Sequence, residues 1–218
     1  MMMTSLTTLR PATEQDCMAI ARLVQIASDG VTDYLWSTLT NDYLGCTLLE
    51  IGAQRYANPD SVFSFRNCTL AVADDTIQGM AMTFAIPPDN PTTAASSQAE
   101  PQSESQSESK GADAAAEPDV LAPYALEQPN SWYLCALGVF PEFRCQGIGT
   151  QLLQRAAQQA REHGFRDLSL LCFEQNVGAA RLYQRHGFKT IDKTPVVPHP
   201  LIHYTGDLLL MTKDISES

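Results

Sequence analysis

Residues 140–157 read FPEFRCQGIGTQLLQRAA. They join SWYLCALGVF, at 131–140, to a run whose apolar residues fall at Ile148, Leu152, Leu153, Ala156, Ala157 and Ala160. That spacing predicts a helix. The preceding run is apolar at successive positions, as a strand buried on both faces is. Gly147 and Gly149 let the chain turn tightly between the two. The amides of such a turn converge at a helix N-terminus, where the dipole also favours an anion. Arg144 adds a fixed positive charge. A P-loop is excluded, because Gly149 is followed by Thr150 and Gln151 rather than Lys-Ser/Thr, and the three-glycine dinucleotide fingerprint fails at Leu152. The hexapeptide alone leaves two readings, a phosphate cradle and a packing turn.

Outward from this stretch, strands and helices alternate. Downstream, 168–173 reads as a second buried strand after a helix stop at Gly164, and 176–186 as a short helix ended by Gly187. Strands are expected near 189–192 and 208–213. Upstream, 6–10 reads as a strand, and Thr13 with Asp16 as a capping box that opens a helix to about residue 28. A second helix is predicted over 44–56. Strands at 67–73 and 77–84 flank the hairpin signal Asp74-Asp75. Strands in series with helices, and hairpins near both ends, predict a mixed α/β sheet.

The segment 87–130 stands apart. It holds seven of the thirteen prolines, eight acids against one base, and the polar repeat QSESQSES. So little apolar surface cannot offset ordering entropy, so most of it is expected to be a disordered insert in a single domain spanning 1–218, with 120–126 able to dock on the surface.

The 218 residues are 44% hydrophobic and carry a net charge of −11. The acidity argues against nucleic acid as a partner. No run approaches the ~18 apolar residues of a membrane span, and MMMTSLTTLR, with no basic start before an apolar run, is not expected to be a signal peptide. Six cysteines without CxxC or His/Cys spacing predict no metal site, and they read as small buried hydrophobes of a reduced, cytoplasmic protein.

LGVFPEFRCQGIGTQLLQRA resembles the acyl-CoA-binding motif of the GNAT superfamily of N-acetyltransferases, with Val139, Pro141, Arg144, Gly147 and Gly149 in the matching places. Asn176, Ala179, Leu182, Tyr183, Gly187 and Phe188 resemble a second motif of that family, at its spacing. The paired motifs outweigh either alone. The opening LRPATEQD is also similar to the family's first strand and helix. The resemblance implies a mostly antiparallel central sheet flanked by helices, with a splayed pair of central strands.

It also implies function: transfer of an acetyl group from acetyl-CoA to an amine, by direct attack through a tetrahedral intermediate. The pyrophosphate would rest on the turn formed by Arg144, Cys145, Gln146, Gly147, Ile148, Gly149 and Thr150. The pantetheine arm would lie along Leu137, Gly138 and Val139, with Asn176 and Ala179 nearby. The Val139 amide would polarise the thioester carbonyl, and Tyr183 would serve the departing sulfur. Asp29, Asp33, Tyr34 and Trp36 are the acceptor-side candidates, with Glu50 a further carboxylate; none is singled out as the base. A homodimer is in keeping with the family. The alternative is a non-catalytic module that senses acyl-CoA or scaffolds a partner through the acidic insert.

Overall fold

The computed structural model describes residues 6–88 and 119–216. Seven strands form one sheet: β1 (Thr8–Pro11), β2 (Cys68–Ala73), β3 (Thr76–Ile86), β4 (Ser131–Val139), β5 (Asp167–Phe173), β6 (Lys189–Pro195) and β7 (Asp207–Asp214). Their spatial order is β1-β2-β3-β4-β5-β7-β6. Every neighbouring pair is antiparallel except β4 and β5. This is the predicted mixed, mostly antiparallel sheet.

Five helices cover it: α1 (Cys17–Ser28), α2 (Val31–Ser37), α3 (Leu48–Ala57), α4 (Ile148–Glu162) and α5 (Val177–Arg185). On one face, Ile20, Leu23 and Val24 of α1 and Ile51 of α3 pack with Leu70, Met80 and Met82 of the sheet. On the other, Leu152, Leu153, Ala156 and Ala160 of α4 meet Leu134, Leu168 and Leu170. The apolar stripe read at 148–160 is thus the buried face of α4. That helix ends in a Schellman motif, with Gly164 at φ 79° and the Phe165 amide bonded to the Ala160 carbonyl.

Asp16 accepts from both the amide and the hydroxyl of Thr13, at 2.8 and 2.9 Å, and from Arg10 through two guanidinium nitrogens at 2.8 and 2.9 Å. The predicted capping box is therefore present, with a short 3-10 turn before α1. Two helix expectations change. The second helix begins at Leu48, not at 44, because Thr47 and Glu50 form a capping box there while Leu44 is exposed. The seven-residue α2 escapes sequence reading because it is too short to establish a period.

The parallel pairing is brief. Trp132, Tyr133 and Leu134 register with Leu168, Ser169 and Leu170, and the ladder ends there. Against β3, Leu134 pairs with Thr83 and Ala136 with Met82, so Cys135 is an extra residue on β4. A bulge bends its strand and increases local twist. Here it sits where β4 parts from β5.

The predicted insert lies for the most part outside the described residues. Its last part, 119–130, is described. Val120 packs with Phe173, Val196, Ile202 and Leu208, and Tyr124 joins them. At the base of the segment the Asn130 amide bonds to the Pro87 carbonyl at 3.1 Å.

Candidate active site

The site begins at the parting of β4 and β5. The Phe140 amide donates to the Gln78 carbonyl of β3, at 2.9 Å. Backbone groups alternate along a strand, so the N–H and C=O groups of Leu137 and Val139 face the opposite way, into the gap beyond Leu170. Gly138 lies under α1: a Cβ there would stand 2.5 Å from the Leu23 carbonyl oxygen. A larger residue would push α1 off the strand.

A 3-10 turn at Pro141–Phe143 links the strand edge to the glycine turn. Cys145 and Gly147 both have left-handed backbones, at φ 60° and 83°. Gly147 occupies the N-cap position of α4, and no side chain caps that helix. The Gln151 amide is the first to return to the helix, bonding to the Gly147 carbonyl at 3.0 Å. The amides of Ile148, Gly149 and Thr150 thus precede the helix ladder at its positive end. A Cβ on Gly147 would meet nothing within 4 Å, whereas one on Gly149 would stand 3.5 Å from Leu182 of α5. Cys145, Gln146 and Gly147 are exposed and Ile148 is buried, so the turn is anchored from below and bare above. Arg144 folds back so that its Nε donates to the Val139 carbonyl at 3.2 Å, tying the turn to the end of the strand.

Tyr183 of α5 lies on the far side of the gap. It is 7% exposed, and its ring is 5.7 Å from that of Phe188. Burial pushes its phenol well above the usual value, with Cys172 adding to the effect. The phenol of Tyr133 is also raised by burial, and Tyr183 contributes to that shift. Asn176 caps α5: its side-chain oxygen accepts from the Ala179 amide at 3.1 Å. Ala179 packs on the core below.

The acceptor-side candidates separate. Trp36 is a core residue, 1% exposed, with its ring against Gly52 and edge-on to Tyr56. It walls no surface cleft. Glu50 is engaged by the Thr47 amide and hydroxyl, both at 2.8 Å, which lowers its pKa. Asp33 accepts from Gln25 at 2.6 Å. Tyr34 meets His199 ring to ring at 4.5 Å, and Asp29 Oδ1 lies 3.5 Å from His203 Nδ1. Asp29 and Tyr34 therefore gather with the β6–β7 connection, where His199 and His203 have no distinguishing pattern in the sequence. Tyr124, Phe173 and Tyr204 join the same region, and no motif in the sequence marks them. Buried thiols are pushed up, Cys17 to about 11 and Cys172 to about 12, as expected of packed cysteines. Cys145, by contrast, is exposed on the turn. Among the described residues no group of three His, Cys, Asp or Glu is gathered for a metal, and no helix is long and apolar enough to cross a membrane.

A sheet with a single, early-parting parallel pair and a glycine-built helix start beside it is the fold of acetyltransferases. A solved acetyltransferase superposes with a TM-score of 0.60 at 21% identity, covering 96% of this chain and all of that one. An N-acetyltransferase from Staphylococcus aureus gives 0.59 at 13% identity, over 94% and 100%. The PaiA N-acetyltransferase from Thermoplasma acidophilum, solved in complex with coenzyme A, gives 0.52 at 15% identity, over 96% and 99%. No curated protein matches by sequence. The Acetyltransferase (GNAT) family model matches residues 29–188, and the chain belongs to that family.

Proposed function

We propose that this protein is an N-acetyltransferase that takes its acetyl group from acetyl-CoA and delivers it to an amine. The observation that carries the reading is continuity. The unpaired edge of β4 leads, through a short 3-10 turn at Pro141–Phe143, to the uncapped start of α4. An extended arm that ends in a pyrophosphate has the shape and charge for both parts. In this reading the amides of residues 145–150 hold the pyrophosphate, and Arg144 flanks it. Leu137 and Val139 offer the arm a strand edge, with Asn176 and Ala179 beside it.

When bound, acetyl-CoA supplies a thioester acyl group. The amine nitrogen forms a bond to the acyl carbon, the C–S bond breaks, the sulfur leaves with the electron pair, and the nitrogen gives up one proton. The Val139 amide, aimed into the gap, stabilises the charge that develops on the carbonyl oxygen, an effect worth up to ~3–4 kcal/mol per donor in acyl-transfer sites. Tyr183 serves the sulfur. Its phenol is raised above the tyrosine norm, whereas a thiol titrates near ~8.5. The proton therefore stays on the phenol at equilibrium, and Tyr183 acts as a hydrogen-bond donor to the leaving thiolate.

Isothermal titration with acetyl-CoA tests the reading, with CoA release from a panel of amines as the second measurement. Absence of both heat and thermal shift at millimolar ligand overturns it.

A further inference from the structure

We infer that the acceptor amine binds as a cation, a primary ammonium on an aromatic or apolar body, held by the Asp29 carboxylate beside a wall of Tyr124, Phe173 and Tyr204. This rests on the N-acetyltransferase reading above.

The first observation is Asp29 itself. It follows α1 in the left-handed conformation, at φ 49°. Gly30 comes next at φ 98°, and a Cβ on it would stand 1.7 Å from the Leu201 carbonyl oxygen. The turn is thus pressed onto the β6–β7 connection, and Asp29 is held in place by backbone on both sides. Its Oδ1 faces His203. Its Oδ2 is buried and accepts no hydrogen bond, the one carboxylate oxygen in that condition among the described residues. Burying such an oxygen without a donor is costly, and donors normally accompany it. A ligand ammonium supplies three, and one of its protons passes to water before the neutral amine attacks.

The second observation is the aromatic cluster on which Val31 and Tyr34, just after that turn, are packed. The Tyr124 ring lies 6.2 Å from Phe173, and Tyr204 lies 5.0 Å from Phe173 on another side. Burial raises both phenols, Tyr124 to about 12, and the Asp29 charge contributes to each. Aromatic rings attract cations, and their apolar faces accept the body of an amine. A carboxylate beside aromatic rings favours an ammonium and repels an acceptor with its own carboxylate next to the nitrogen.

The third is position. Phe173 ends β5 on the side where β4 has parted from it. Tyr204 packs on Phe173 there. The cluster therefore borders the end of the gap into which the Val139 amide points. Tyr124 comes from 119–126, so a segment outside both sequence motifs supplies part of the acceptor wall.

The test uses the full chain with 2-phenylethylamine and with phenylalanine, which adds a carboxylate beside the same amine. Titration calorimetry in the presence of CoA reads binding, and CoA release from acetyl-CoA reads turnover. Phenylethylamine is expected to bind and to react at least ~10-fold better in kcat/KM than phenylalanine. Asp29→Asn keeps a residue that tolerates the left-handed backbone. It should weaken phenylethylamine binding and raise its KM by about 10-fold or more, with acetyl-CoA affinity unchanged. Asp60→Asn, on an exposed loop, is the control without effect. Tyr124→Ala should weaken phenylethylamine more than methylamine. Equal use of phenylalanine, or amine binding indifferent to Asp29→Asn, overturns the inference. CoA release that ignores Asp29 would sink the ammonium site and keep the transferase. Asp29-dependent binding without CoA release from any amine would do the reverse.

Discussion

The hydroxyls of Ser131 and Ser169 lie 2.7 Å apart, both wholly buried, where β4 and β5 begin to run side by side. Ser131 Oγ also donates to the Gln128 carbonyl at 2.6 Å. It has one proton, and the carbonyl can only accept. Ser169 must therefore be the donor between the two hydroxyls. This chain of bonds fastens the closed end of the parting strands. Ser131→Ala leaves both the Ser169 hydroxyl and the Gln128 carbonyl without their partner, so it should cost about 2–3 kcal/mol. Ser169→Ala leaves Ser131 its carbonyl and should cost about 1 kcal/mol. Chemical denaturation of the two variants checks the order; equal losses would contradict the assigned direction.

Gly147 is needed for its backbone rather than for room. With open space around it at φ 83°, Gly147→Ala should fold and lose about 1 kcal/mol from the left-handed strain. Gly147→Glu should also fold, yet bind acetyl-CoA at least ~100-fold more weakly, because a carboxylate then competes with the pyrophosphate for the helix amides. Calorimetry and thermal melting on the same samples separate the two effects.

Tyr183→Phe removes only the hydroxyl from a packed ring. The expected result is a fall in kcat of about 10- to 100-fold, with acetyl-CoA affinity nearly intact. The melting temperature should hardly move, since the Phe188 contact is kept. An unchanged kcat would remove Tyr183 from the chemistry.

Asp16 gives a pH signature. Its Arg10 bond, with help from Thr13, lowers its pKa to about 2 in the folded chain, against ~3.9 for a free aspartate. A depressed folded value means stabilisation that is full above about pH 4 and lost as pH falls toward 2. Asp16→Asn should therefore cost about 1–2 kcal/mol at neutral pH. The gap between it and the native chain should shrink across that acid window. Urea titrations at several pH values measure it.

The donor half of the proposed site is legible in the sequence because it is local. One strand, one turn and one short helix with its cap supply Val139, Arg144, Gly147, Asn176 and Tyr183, each within a run of fixed spacing. The family match and the sheet agree with the fold expected from those runs. The other half is not local. Asp29, Tyr124, Phe173 and Tyr204 come from four separate segments, and no periodicity connects a turn aspartate with tyrosines far along the chain. Trp36 shows the converse: an aromatic near the right turn, but oriented into the core by the α3 packing at Gly52. The start of α3 is also settled by something periodicity does not carry. Apolar residues precede its cap, and only the Thr47–Glu50 bonds decide where the helix begins.

The bond from Asn130 to Pro87 closes the sheet's longest excursion at its neck. Once a neck is tied, adding chain beyond it costs little; each doubling of a loop's length costs only ~0.6 kcal/mol in closure entropy. Chain added at the β3–β4 junction beyond that neck should therefore leave strand register undisturbed, read as an unchanged melting temperature. A label, tag or reporter domain placed between 88 and 118 should be carried by the fold at almost no energetic penalty.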